Sequence, residues 1–75
     1  MDDIEFNLSD PRPAFREIEA ERKRRGVHLQ EMEEITDVSV NSVYAWRSGA
    51  RSPMVSHLVK FAEAMGFEVV MRRKK

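Results

Sequence analysis

The stretch 38-VSVNSVYAWRSGARSP-53 decides the fold. It reads as a short helix with a polar start, two apolar anchors and an abrupt stop. Ser39 is a good N-cap, since its side-chain oxygen can accept from a free backbone N–H of the first turn. Val43 and Trp46 stand three residues apart and share one face. Asn41, Ser42, Tyr44, Ala45 and Arg47 fall on the other faces. Gly49 then ends the helix, as glycine does just past a C-terminus. Two short helices joined by a turn, the second small and polar on its outer face, are what a reader of the DNA major groove needs.

The first helix of that pair lies just upstream, over residues 28–35. Leu29, Met32 and Ile35 point inward at spacings of three, and Gln30, Glu31, Glu33 and Glu34 point outward or sideways. Residues 36–38 form the turn, with Val38 plugging the angle between the helices. Further upstream a helix is predicted over residues 13–25, with Phe15 and Ile18 inside and Gly26 as its stop. Arg12 precedes a proline, which disfavours helical geometry, whereas Pro13 suits a first helical position. The basic run at residues 22–25 suits the negative end of the helix dipole. Downstream a fourth helix starts near Pro53 or Met54, with Ser52 as its cap, and ends at Gly66. Val55, Leu58, Phe61, Ala62 and Met65 form its apolar stripe.

At both ends of the chain the period changes. Ile4, Phe6 and Leu8 alternate with polar residues, and Phe67, Val69 and Met71 alternate with Glu68 and Val70. Both segments suit short strands. Residues 1–12 are therefore expected as an N-terminal segment, 13–66 as a helical domain, and 67–75 as a strand and basic tail. The expected class is mainly α, a compact four-helix domain with room for a two-stranded sheet.

Seventy-five residues make one domain at most. A chain this short buries roughly 60 % of its unfolded surface, so its core is small. Its 41 % of hydrophobic residues come in periods, which argues for a folded chain. Without cysteine there is no disulfide or thiolate metal site. No apolar run is long enough to span a membrane, and the acidic N-terminus lacks a signal-peptide pattern, so a cytoplasmic location is expected. Net charge is zero, whereas small DNA-binding domains are usually basic. The charge is unevenly placed: residues 1–21 carry −5, 22–25 carry +4, 26–46 carry −4 and 47–75 carry +5. A neutral total can hide a basic face.

From Gly26 to Gly66 the chain resembles the Cro/C1 repressor-type helix-turn-helix proteins, the Xre family. Gly26, Met32, the Val38-Ser39 turn, Val43, Trp46 and the 49-GARSP-53 segment carry the likeness, followed by Leu58, Ala62, Met65 and Gly66. The resemblance implies a lambda repressor-like fold that binds operator DNA as a dimer, its third helix in the major groove. Three positions depart from the family pattern. Leu29 stands where a glutamine usually contacts a phosphate, with Gln30 adjacent. Glu33 stands where a small residue, commonly alanine, sits against the next helix; a carboxylate there must twist outward or find a partner. Asp37 stands at a turn position that is often glycine, and aspartate tolerates left-handed geometry better than most residues.

Val40, Asn41, Ser42, Tyr44, Ala45, Arg47, Arg51 and Gln30 are the candidate DNA-binding residues. Asparagine can bond an adenine edge in two places, serine can bond either partner, and Ala45 or Val40 can meet a thymine methyl. Tyr44 is alternatively the half-buried ring of a protein contact. Arg47 and Arg51 flank the helix stop and suit backbone phosphates, or are ordinary surface charge. Trp46 is assigned to the core, not to base stacking. The two histidines, His28 and His57, have no partners for a metal site, and no cofactor motif is visible. No nucleophile–base pair or glycine-rich phosphate loop suggests an enzyme. Two readings stay open. One is a sequence-specific regulator that binds double-stranded DNA as a homodimer; its terminal strands are expected to pair either across the dimer or within one chain. The other is a protein-binding module, anti-activator or antitoxin-like, that keeps the scaffold and has lost DNA affinity.

Overall fold

The structure is a computed structural model that describes residues 3–74. Met1, Asp2 and Lys75, which belong to the terminal charge runs, lie outside the described residues. The described chain forms α1 (Arg12–Arg24), α2 (Leu29–Thr36), α3 (Val40–Ser48) and α4 (Val55–Ala64). α4 packs on α1 and α2, and α3 on α2.

The core is one cluster of Phe15, Ile18, Met32, Val38, Val43, Trp46, Leu58, Phe61, Ala62 and Met65. Its centre is aromatic. The Trp46 ring meets Phe15 edge-on at 5.4 Å and Phe61 edge-on at 5.5 Å. Such T-shaped pairs match the positive edge of one ring to the negative face of another.

Several expectations are corrected. α1 begins at Arg12, with Pro11 as N-cap. A residue before proline can open a helix when the proline sits in the first turn, where its missing N–H has no partner to lose. Leu29 is only partly buried against the core. Ile35 points out, 62 % exposed, and Thr36 is buried instead. The inner face of α2 thus steps by four from Met32. Thr36 pays no desolvation penalty, because its hydroxyl donates to the Met32 carbonyl at 2.6 Å and accepts from the Val38 N–H at 3.2 Å. α4 starts later than expected, with Met54 and not Ser52 as N-cap. Val55 therefore sits at the free end of the helix, 73 % exposed, and the stripe begins at Leu58.

Among the described residues there is no strand. The two terminal segments flank a groove of about 520 Å³ over α1 and α4, lined by Ile4, Phe6, Leu8, Ile18, Leu58, Phe67 and Val69 among others. Consecutive residues of both segments, 4–8 and 67–70, line this groove, so the alternation does not sort them, and Met71 of the expected apolar row is 99 % exposed. Side chains, not backbone bonds, join the segments. Arg72 donates to both carboxylate oxygens of Glu5, one of them at 2.7 Å.

Candidate nucleic-acid interface

α2, the turn and α3 make a compact corner. Asp37 ends α2 in the left-handed region at φ 60°, and its N–H donates to the Glu33 carbonyl at 2.8 Å. The turn keeps the glycine-like geometry without glycine. Ser39 caps α3, its hydroxyl accepting from the Ser42 N–H at 3.2 Å. Gly49 closes α3 at φ 80°, where a side chain would be strained.

Val43 and Trp46 are buried, and this fixes which side of α3 faces outward. Asn41 and Tyr44 are exposed on that side, Tyr44 by 52 %. Val40, Ser42 and Ala45 are half-buried at its margins. Ser42 is partly committed to the cap, its hydroxyl 2.9 Å from that of Ser39. Gln30 is exposed in the first turn of α2. Arg51 is exposed after α3, its N–H donating to the Ala45 carbonyl at 3.3 Å. Its guanidinium has no ion pair among the described residues. Arg51 and Arg12 also line one recess of about 380 Å³, between the start of α1 and the α3–α4 loop.

Arg47 is placed differently from a plain surface charge. One of its terminal nitrogens donates to Glu19 of α1 at 2.7 Å, and its guanidinium lies 5.7 Å from the Tyr44 ring centre. Glu19 also receives Arg22 at 2.8 Å, and Arg22 donates to the Val27 carbonyl at 2.7 Å. Glu19 and Arg22 are both buried. Burial works to raise the Glu19 pKa, but the hydrogen bonds from Arg22 and Arg47 outweigh it and hold the carboxyl below its usual range. Arg22 is thus a buried ion-pair partner, not only a dipole-facing charge at the end of α1. Sequence reasoning missed Glu19. Its signal was the spacing Phe15, Ile18, Glu19, Arg22, which puts a carboxylate on the apolar face of α1 with a base one turn on.

The acidic residues near the motif also have defined roles. Glu33 twists outward and finds a partner: its carboxylate accepts from the Val40 N–H at 2.8 Å, at the start of α3. Glu31 does the same for the His28 N–H at 3.1 Å, at the start of α2. A negative charge at a helix N-terminus is favourable there. It also leaves two exposed carboxylates beside the starts of α2 and α3. His57 is half-buried on α4, its ring 6.2 Å from that of Trp46. Among the described residues no three acidic or histidine side chains group as a metal site would need, and no helix is long and apolar enough to cross a membrane.

Comparison with protein families gives a match of residues 18–70 to the family model described as helix-turn-helix. The match spans α2, α3 and α4 and the second half of α1. No curated protein and no solved structure matches the chain.

Proposed function

The chain belongs to the Cro/C1-type helix-turn-helix family, a family of DNA-binding regulators, and on that footing we propose that it is a sequence-specific DNA-binding transcriptional regulator with α3 in the major groove. The observation that carries this reading is the split of α3. Val43 and Trp46 lock one side into the core, and Asn41 and Tyr44 stand on the other with Arg51 just beyond. Asn41 suits an adenine edge, Ala45 and Val40 a thymine methyl, and Arg51 a backbone phosphate. Gln30, in the first turn of α2, is next to the usual phosphate-contacting position and serves the same role. The regulator acts as a homodimer on a pseudo-palindromic site, its two copies joined through the terminal segments. Isologous pairing there spaces two recognition helices about one DNA turn apart.

One observation favours a second reading, a protein-binding module that has lost DNA affinity. The start of α3 carries the Glu33 carboxylate, and Glu31, Glu34 and Asp37 are exposed beside it. A titration separates the two readings. Asn41→Ala and Tyr44→Ala each weaken specific binding by about 1–3 kcal/mol where the residue makes a good base contact. Loss confined to non-specific affinity in both variants would refute base reading by α3.

A further inference from the structure

We propose that Glu19, on the buried side of α1, is a positioning residue for the outer face of α3: it holds Arg47, and Arg47 holds Tyr44. The proposal rests on the DNA-binding reading and deepens it.

The carboxylate is itself fixed. Arg22 reaches Glu19 Oε2 through Nη2 at 2.8 Å and Nε at 3.3 Å, and its Nη1 is bonded to the Val27 carbonyl. Arg47 Nη2 comes to the same Oε2 at 2.7 Å, across 28 residues of chain. Glu19 Oε1 is left buried with no hydrogen-bond partner. A carboxylate that served Arg22 alone could take it in a fork, one nitrogen on each oxygen. Here both guanidinium groups converge on one oxygen, and the arrangement favours the link to Arg47 over the best pairing with Arg22.

Arg47 spends one nitrogen on this contact. Its Nε and Nη1 donate to nothing among the described residues, and its side chain is 38 % exposed. Its guanidinium carbon lies 5.7 Å from the Tyr44 ring centre, within the range in which a cation is drawn to an aromatic face. A free arginine loses rotamer freedom when it binds, whereas an anchored one has already lost it. Glu19 thereby presents two preset donors of Arg47 and a braced Tyr44 ring to duplex DNA, from a position that DNA itself does not touch.

The test combines nuclear magnetic resonance with DNA titration on wild type, Glu19→Asp, Arg47→Ala and the double variant. Aspartate keeps the charge but falls one methylene short of Arg47. In free wild-type protein the Arg47 terminal N–H signals should be resolved, as for a held guanidinium. Both single variants should move the Tyr44 ring signals the same way. Duplex affinity should drop about tenfold in each single variant, and the double variant should bind no more weakly than Arg47→Ala. Losses that multiply in the double variant, Tyr44 signals that move in Arg47→Ala but not in Glu19→Asp, or one averaged Arg47 signal in wild type would each overturn the proposal. Should no folded protein bind duplex, the DNA reading fails, and the Arg47 and Tyr44 signals still decide whether the positioning exists. Should Glu19→Asp not fold, the wild-type Arg47 signals and the Tyr44 shift in Arg47→Ala decide it.

Discussion

Trp46 touches two aromatic rings edge-on and is nearly inaccessible, so its removal opens a cavity that a small core cannot refill. Trp46→Ala is expected to cost about 3–5 kcal/mol, measured by thermal or urea melting. A near-unchanged midpoint would contradict its place in the core. Glu19 stabilises by charge. Glu19→Ala leaves Arg22 buried beside no anion, and breaking such a pair costs about 3–5 kcal/mol. The sign of its pH dependence follows from its lowered pKa. The folded state favours the ionised carboxylate, so the stabilisation is complete above the unfolded value of about 4.3 and is lost as pH falls through the lower folded value. Glu19→Gln should flatten that part of the acid-induced loss. An acid profile identical to wild type would mean that the cluster of Glu19, Arg22 and Arg47 contributes no linkage.

At the scale of elements, the start of α3 is where stability and affinity pull in opposite directions. Glu33 bonds the Val40 N–H, and Ser39 bonds the Ser42 N–H. Glu33→Ala should therefore destabilise the domain by about 1 kcal/mol, as loss of a cap does. Glu33→Gln keeps an acceptor oxygen and removes the charge; it should bind duplex DNA more tightly, most clearly at low salt. Equal affinity of Glu33→Gln and wild type at low salt would show that this charge lies away from the phosphates. The helices and their stops were legible in the sequence, because Val43, Trp46, Leu58, Phe61, Ala62 and Met65 recur at helical spacing between Gly26, Gly49 and Gly66. Ile35 and Val55 were misread because spacing alone ignores what a neighbour can satisfy and where a helix starts. Thr36 entered the core on two hydrogen bonds, and Val55 was left at a free helix end. The Glu19–Arg22 pair lies within one turn of α1 and its spacing was readable, but the link from Glu19 to Arg47 of α3 stayed hidden, because it spans 28 residues and only the fold makes it. The outer residues of α3 could be named as candidates, since the buried pair Val43 and Trp46 dictates which side faces out. Their contacts to bases depend on a partner that periodicity does not encode.

At the scale of the whole molecule, net charge is zero and attraction to DNA has to come from local placement. The terminal segments leave Ile4, Leu8, Val70 and Met71 exposed, and backbone unpaired on both sides of the groove. Free backbone beside exposed apolar side chains invites pairing with another chain. Sedimentation should accordingly report a dimer, and hydrogen exchange should show protection in residues 4–8 and 67–71 that grows with concentration. A monomer at all concentrations, with those amides exchanging freely, would remove the dimer. The most direct test of DNA recognition by α3 is a titration of the folded protein against its own promoter and a scrambled duplex at two salt concentrations, with Arg51→Ala alongside. The account predicts tighter binding to the promoter, weaker binding at higher salt, and a salt slope about one unit shallower for Arg51→Ala. No binding to either duplex at low salt would contradict it.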